Sequence, residues 1–194
     1  WAEEKDSRSW YNVNPVEAIA KQKPDAILIL NGSPYFWGKG DERLSLLKKI
    51  SKKYSIPTLY SNQVGGNDEL IFDGRSMAVN KKGELIGMGR AFKEDTIMVN
   101  LEKDSLVTYK KDSKDLKEVE DALVLGVYDY CRKIGAQKRG VAIGLSGGID
   151  SALTAVVAQK ALGKDRVVAI AMPSGFSSKE SVEDAEFLAK NLGI

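Results

Sequence analysis

The order of hydrophobic and polar positions divides the chain into two stretches of different organisation. In the first stretch, Asn14-Pro15 suits the start of a short helix, and residues 26–30 are apolar at every position. An uninterrupted apolar run predicts a strand that is buried on both faces. A longer helix is predicted from Asp41 onward. Its apolar face is formed by four residues at helical spacing, Leu44, Leu47, Ile50 and Tyr54.

From residue 58 the pattern changes to short strands separated by turns. The candidate strands are residues 58–62, 70–72, 76–79, 84–88 and 96–99. The candidate turns are residues 65–68, 73–74 and 80–83, which are rich in Gly, Asn and Asp. We interpret Asp68, Glu69 and Asp73 as ordinary turn residues rather than as a cation site.

The second stretch begins after a charged segment. Residues 101–115 are rich in Lys, Asp and Ser, and we interpret them as a linker. A helical stripe follows, formed by Leu116, Val119, Leu123, Val127, Tyr130 and Ile134. Next come a strand at 141–145, a helix that ends near Gly163, a strand at 167–171 and a helix at about 178–192. This alternation predicts a βαβ unit with a parallel sheet.

Composition narrows the class of protein. The 194 residues are 43% hydrophobic and 29% charged, which is typical of a soluble globular protein. A net charge of +2 does not favour a nucleic-acid partner, and no apolar run approaches the ~20 residues of a membrane span. The first residues lack the pattern of a signal peptide, and the single cysteine cannot form an internal disulfide. These features favour a cytoplasmic protein. We also expect a homo-oligomer that acts on small molecules, which composition by itself does not show.

Histidine is absent from the chain. This excludes Ser-His-Asp and Cys-His nucleophile pairs and histidine-based zinc sites within these residues. Catalysis encoded here must use carboxylates, lysines, backbone amides or a metal held by oxygen ligands.

One glycine-rich segment carries the strongest chemical signal. It lies between a predicted strand and a predicted helix and consists of Gly144, Leu145, Ser146, Gly147, Gly148, Ile149, Asp150 and Ser151. Adjacent glycines let backbone amides approach a ligand closely, and the following helix contributes the positive end of its dipole. The hydroxyls of Ser146 and Ser151 add donors. Asp150 would repel a phosphate unless a cation lay between them, so we predict Mg²⁺ on Asp150. The alternative is a tight strand-to-helix turn without a ligand.

This segment resembles the signature of the ATP-pyrophosphatase (PP-loop) superfamily, and its flanks narrow the match. Two further segments resemble the corresponding segments of NAD synthetases. They are Ala161-Leu162-Gly163 and Met172-Pro173-Ser174. In the first half, the segment from Asn31-Gly32-Ser33-Pro34-Tyr35 to Gly38-Lys39 resembles the nitrilase-like glutaminase domain of glutamine-dependent NAD synthetases. So does the segment at residues 64–74. Nearly the whole chain is therefore identified as an internal portion of a member of this family.

The resemblance implies a fold and an activity. The fold is α/β: the C-terminal part of a nitrilase-like α/β sandwich at residues 1–100, a linker at 101–115, and the start of a doubly wound parallel-sheet PP-loop domain at 116–194. The activity is amidation of deamido-NAD to NAD through an acyl-adenylate, with ammonia from glutamine. The implied cofactors are ATP and Mg²⁺, and the implied substrates are deamido-NAD, ATP and glutamine.

The resemblance also assigns site residues. ATP binding falls on residues 144–151 and on Met172, for which a core methionine is the alternative. Glutamine binding falls on Ser33 and Lys39, for which a turn serine and a solvated lysine are the alternatives. The Glu-Lys-Cys triad of the family's glutaminase has no counterpart here, and Cys131 is interpreted as a packed helix residue. A different PP-loop amidotransferase and a nucleotide-binding subunit without catalysis remain as rival hypotheses.

Overall fold

A computed structural model of the chain describes residues 14–103, 106–107, 116–173 and 178–194. The protein is a mixed α/β structure, as expected, and divides into two compact units. Unit 1 is Trp1–Gly65 with Phe72–Asp115, and unit 2 is Gly66–Ile71 with Leu116–Ile194. Most of the predicted linker lies outside the described residues, so the domain boundaries at residues 100 and 115 stay a prediction.

Within residues 14–103, the structure contains two helices and six strands. In chain order they are α1 (Pro15–Ala20), β1 (Ile27–Asn31), α2 (Lys39–Tyr54), β2 (Thr58–Asn62), β3 (Val64–Asn67), β4 (Leu70–Asp73), β5 (Met77–Val79) and β6 (Leu85–Met88). Four of these strands form a sheet in the order β1-β2-β5-β6. Strand β1 pairs with β2 in parallel, and the other two pairings are antiparallel.

Helix α2 supplies the core of unit 1. Its predicted apolar face is confirmed, because Leu44, Leu47 and Ile50 are buried. Leu44 and Leu47 pack with four residues of the sheet, Tyr60, Met77, Val79 and Leu85. The opposite face of α2 carries exposed lysines, as on most amphipathic helices.

Two strand predictions in unit 1 are wrong. Strand β1 is buried on one face only, since Leu28 is 71% and Leu30 is 86% exposed. Both side chains line an open apolar cavity of about 340 Å³. Residues 96–99 form no strand, although Val99 lies against β6. A Cβ on Gly87 would come within 2.4 Å of the Val99 side chain, so the glycine makes room for this segment without backbone pairing.

The turn predicted at residues 65–68 is also misplaced. Residues Val64–Asn67 form β3, and the turn is confined to Asp68 and Glu69. Asp68 has a φ of +52°, a backbone conformation that Asp tolerates better than most residues. Asp73 is not a solvated turn residue, because it ends β4 with its side chain fully buried.

Unit 2 contains the predicted strand–helix–strand–helix order. Its elements are α3 (Leu116–Lys133), α4 (Ala136–Arg139), β7 (Val141–Gly144), α5 (Ile149–Leu162), a 3-10 turn (Lys164–Arg166), β8 (Val167–Ile170) and α6 (Lys179–Leu192). Strands β7 and β8 pair in parallel, as predicted, with Val141 opposite Val167.

Helix α3 does not bury the stripe predicted for it. Four stripe residues are exposed: Leu116, Leu123, Tyr130 and Ile134. The buried positions are instead Glu118, Ala122, Asp129 and Cys131. Gly126 lies on the side of α3 that approaches β4, because a Cβ at this position would lie only 3.1 Å from the Ile71 side chain. Cys131 packs with Ala158, Leu162 and Val167, so its interpretation as a packed helix residue is confirmed.

Within the described ranges, no helix combines the length and the apolar character that crossing a lipid bilayer requires.

Candidate functional site

The glycine-rich segment connects β7 to α5 in the manner of a phosphate-binding loop. Strand β7 ends at Gly144, and α5 begins at Ile149. Gly148 is the N-cap of α5, and no side chain caps this helix. The first-turn N–H groups of a helix have no partner within the helix, so an uncapped start leaves donors for an anion. The local geometry can therefore bind phosphate.

Gly147 is the position where only glycine fits. Its φ is +80°, in the left-handed region that glycine adopts without strain. A Cβ at this position would come within 2.2 Å of the Ser181 carbonyl oxygen and 2.8 Å of its Cα. These are backbone atoms in the first turn of α6. The loop and the start of α6 are thus in direct backbone contact.

The two serines of the loop bind each other, and we call this arrangement the serine clasp. The hydroxyls of Ser146 and Ser151 lie 3.0 Å apart. The backbone N–H groups of Ser146 and Gly148 donate to the Ser151 and Ser146 hydroxyls, over 3.2 and 3.3 Å. The Ser151 hydroxyl also donates to the Gly148 carbonyl, over 3.0 Å. Because all of these bonds are exposed, a ligand can replace them.

A cavity of about 200 Å³ opens beside the loop at the carboxyl ends of β7 and β8. Its lining residues are Gly144, Leu145, Ser146, Ala171, Met172, Pro173, Ser181, Val182 and Ala185. The carboxyl ends of parallel strands are where ligands bind in open α/β sheets. Met172 is 75% exposed, so the core alternative for this residue is wrong. The cavity brings Met172 together with the first three residues of the predicted ATP site.

Asp150 lies in the first turn of α5 with its side chain exposed. No cluster of three metal-ligating side chains occurs in the part of the chain that the structure describes. Mg²⁺ is commonly held by one or two carboxylates together with substrate phosphates. A single carboxylate beside a phosphate loop fits that kind of site and does not fit a metal bound by protein alone.

The predicted glutamine residues lie on the segment that joins β1 to α2. Ser33 follows β1 and is only 7% exposed, and its N–H donates to the Asn62 side chain over 2.9 Å. Lys39 is the first residue of α2. Its ammonium lies 2.9 Å from Glu42 and 4.6 Å from the centre of the Phe36 ring. The Lys39 side chain is 15% exposed, so it is not a freely solvated lysine.

Sequence reasoning missed the charged group beneath this segment. Arg43 of α2 and Asp73 of β4 form a buried ion pair, with nitrogen–oxygen distances of 2.6 and 2.9 Å. Tyr60 lies beside the pair: burial raises the pKa of its phenol, and the Arg43 charge opposes that rise. A signal was present in the sequence. Arg43 lies four residues before Leu47, on the buried face of α2.

A comparison with protein-family models finds a match for the C-terminal part of the chain. Residues 119–194 match the family model described as NAD synthase. This stretch contains the phosphate loop, the cavity and both parallel strands. Residues 119–194 belong to the NAD synthase family. The first half of the chain is also similar to known proteins, which are glutamine-dependent NAD(+) synthetases.

Curated relatives match nearly the whole chain. The glutamine-dependent NAD(+) synthetase of Synechocystis sp. is 45% identical over 192 residues, which cover 96% of this chain. The enzyme of the same name from Thermotoga maritima is 41% identical and matches 93% of this chain. The resemblance seen in the sequence is confirmed. The chain spans about a third of the length of these relatives, 34% and 38% respectively.

Solved structures agree. A glutamine-dependent NAD+ synthetase from Acinetobacter baumannii, in complex with ADP, superposes with a TM-score of 0.86 at 38% identity. The match covers 92% of this chain and 34% of that protein. The fold is shared with a glutamine-dependent NAD(+) synthetase from Cytophaga hutchinsonii, which covers 90% of this chain at a TM-score of 0.71 and 22% identity.

Proposed function

We propose that this chain is part of an enzyme that converts deamido-NAD to NAD with ATP and glutamine. The observation that carries the proposal is the uncapped start of α5 behind the Ser146-Gly147-Gly148 turn. A relative of 38% identity was solved in complex with ADP, which supports nucleotide binding by this chain. The proposal applies to a protein of the relatives' length that contains this chain, which we call the family-length protein.

The phosphate loop serves the first half of the reaction. A carboxylate is a poor electrophile, so ATP converts it to an acyl-adenylate with release of pyrophosphate, and ammonia then displaces AMP. The backbone amides of residues 147–151 would hold the leaving pyrophosphate, and the hydroxyls of Ser146 and Ser151 would add donors. Asp150 would hold Mg²⁺, which offsets the negative charge of the phosphates. Met172 would lie near the adenine.

The segment from Ser33 to Lys39 serves the supply of nitrogen. Ammonium is not nucleophilic at neutral pH, so ammonia has to be released from glutamine. We assign residues 1–100 to a nitrilase-like glutaminase, 101–115 to a linker and 116–194 to the PP-loop synthetase. The only cysteine of the chain, Cys131, is buried in an apolar cluster. We therefore expect the 194-residue chain by itself to hydrolyse no glutamine.

The test replaces Asp150 with Asn in the family-length protein. The change keeps the size of the side chain and removes its charge, so Mg²⁺ loses its protein ligand. Synthesis of NAD should fall at least about a hundredfold, with ammonium salts as much as with glutamine. The matched control is Asp165→Asn, an exposed carboxylate in the 3-10 turn of the same unit, which should leave both rates unchanged. Unchanged ammonium-dependent synthesis in the Asp150→Asn protein would refute the assignment.

A binding experiment tests the rival hypothesis that the protein is a nucleotide-binding subunit without catalysis. Isothermal titration of the 194-residue chain with ATP and Mg²⁺ should show binding that Asp150→Asn weakens. If the chain binds nucleotide normally but the family-length protein makes no NAD from either nitrogen source, the protein is a nucleotide-binding subunit and not a synthetase.

A further inference from the structure

The guanidinium of Arg43 contacts the Ser33 segment at three points. Its Nε donates to the Ser33 hydroxyl over 3.1 Å, and its Nη2 donates to the carbonyls of Ser33 and Pro34 over 2.7 and 3.0 Å. Its Nη1 donates to both carboxylate oxygens of Asp73. All three nitrogens therefore have partners, and two of them bind the segment that carries the predicted glutamine site.

Asp73 keeps Arg43 in this position. The two side chains are 1% and 0% exposed, so the Arg43 charge depends on Asp73 for compensation. Asp73 has a second, more distant positive neighbour, because the Nε of the buried Arg75 lies 3.8 Å from it. Asn62 completes the group: its amide nitrogen donates to the Ser33 carbonyl over 3.2 Å, and its amide oxygen accepts from the Ser33 N–H. Ser33 is thus held through its N–H, its carbonyl and its hydroxyl.

Stability does not account for this arrangement. Removing two charges from water costs about as much as their attraction returns, and apolar side chains of the same volume often serve stability equally well. The planar guanidinium has a different advantage, since its fixed fork of donors sets the position of several acceptors at once. Only an arginine can hold one hydroxyl, two carbonyls and a carboxylate together.

We propose that Arg43, held by Asp73, is a positioning residue for glutamine binding, because it fixes the Ser33–Pro34 backbone and the direction of the Ser33 hydroxyl. Lys39 and Arg43 are four residues apart on α2, so they lie on neighbouring turns of the same face. Helix α2 therefore carries Lys39, a predicted glutamine contact, and Arg43, which holds the other predicted contact, Ser33. This inference rests on the proposed glutamine-binding role of Ser33 and Lys39.

The main test is Arg43→Lys in the family-length protein. Lysine keeps the charge opposite Asp73, but its single ammonium cannot reach every acceptor that the fork reaches. The KM for glutamine should rise at least about tenfold, while the rate with ammonium salts stays within about twofold. A second variant, Arg43→Met with Asp73→Leu, removes both charges of the pair, although Arg75, whose Nε lies 3.8 Å from Asp73, also loses that contact. It should show the same difference between glutamine and ammonium salts.

The matched control is Ser51→Ala on the same helix. Ser51 donates to Thr58 over 2.8 Å, and both side chains are fully buried. This change breaks a buried hydrogen bond of α2 without touching the Ser33 segment. It should lower the melting temperature and leave the KM for glutamine unchanged, which separates loss of stability from loss of positioning.

The outcomes of these experiments distinguish the positioning role of Arg43 from the proposed glutamine site at Ser33 and Lys39. If Ser33→Ala and Lys39→Ala leave the KM for glutamine unchanged, the glutamine site itself is misplaced. If Ser33→Ala and Lys39→Ala raise the KM for glutamine but neither Arg43 variant does, only the positioning role of Arg43 is wrong. An equal loss with ammonium and glutamine, or a failure of both Arg43 variants to fold, would show that the pair is structural and would also overturn the inference.

Discussion

The two candidate sites both follow the end of a strand, yet different forces hold them. In unit 1, Ser33 is fixed by a buried ion pair and an amide, and its polar groups are already engaged. In unit 2, the phosphate loop is exposed and is shaped by a glycine conformation and by hydroxyls that bind each other. The difference matches the ligands proposed for them. Glutamine is a small zwitterion, and its binding requires side chains that are held in fixed positions. A polyphosphate requires several hydrogen-bond donors that lie close together and are open to solvent.

The largest effect is expected at Gly147. Alanine there would meet the Ser181 backbone at 2.2 Å and would hold a φ of +80°, so either the loop or α6 has to move. Losing two charge-assisted hydrogen bonds to the phosphates, at roughly 1.5–3 kcal/mol each, would cost at least about a hundredfold in the affinity of the chain for ATP with Mg²⁺. Isothermal titration of the 194-residue chain measures it.

Gly163→Ala is the control for that change. Gly163 has nearly the same φ, +84°, but a Cβ there would meet nothing within 4 Å. Because its ψ of 153° places it in a region that essentially only glycine adopts, the change should lower the free energy of unfolding by roughly 1–3 kcal/mol and leave nucleotide affinity intact. Equal loss of affinity in the two variants would show that backbone strain, and not contact with α6, decides binding.

The second effect is expected at Lys39 in unit 1. Lys39→Ala removes a charge from the proposed glutamine site, which costs roughly 1.5–3 kcal/mol, or about tenfold to over a hundredfold in binding. In the family-length protein the KM for glutamine should rise by that factor, and the rate with ammonium salts should stay nearly intact.

Measuring both nitrogen sources on one preparation guards against a folding defect, which would lower both rates together. Lys48→Ala, an exposed lysine on the same helix, should change neither. A loss confined to ammonium-dependent synthesis in the Lys39→Ala protein would reverse the division of labour between the two units.

The smallest effect is expected at Asp129, a buried carboxylate of α3 in unit 2. Burial raises the pKa of this carboxyl, but hydrogen bonds from Arg132 and from the Gly66 N–H, with the charges of Arg132 and Lys133, bring it below its ordinary value of 3.8. A lowered pKa stabilises the fold above the unfolded-state value, and this contribution disappears as the pH falls through the folded-state value.

Asp129→Asn should therefore lower the free energy of unfolding by about 1 kcal/mol at pH 7 and by less below pH ~4. Urea denaturation of both proteins at several pH values measures the difference. Asp165→Asn, as the exposed control, should leave the free energy of unfolding at pH 7 unchanged. If the gap at Asp129 were constant with pH, ionisation would not be the source of the stabilisation.

Local patterns predicted unit 2 better than unit 1. Strands β7 and β8 and helices α5 and α6 are short segments bounded by glycines or by a serine cap, so their order follows from neighbouring residues. The exposure of Leu28 and Leu30 could not be read from the sequence, because a strand covered on one face and a strand covered on two can share one apolar run.

The candidate sites show the same division. The phosphate loop is contiguous, so its glycines and serines could be found together. The Arg43–Asp73 pair joins residues 30 positions apart, and Asp73 looked like a turn residue because the turn pattern carries no information about the opposing helix. The contact between Gly147 and Ser181 was equally hidden, since it depends on where α6 begins in space.

The serine clasp affects which ligands the loop can select. Without a ligand, the hydroxyls of Ser146 and Ser151 already have partners, so an incoming phosphate exchanges one set of hydrogen bonds for another. Such an exchange contributes little net free energy. If the loop binds ATP as proposed, its selectivity would come from the sign of the ligand's charge in the field of α5, and a neutral nucleoside would gain almost nothing there. The loop would then distinguish polyphosphates from other hydrogen-bond acceptors by charge, before any contact with the base is made.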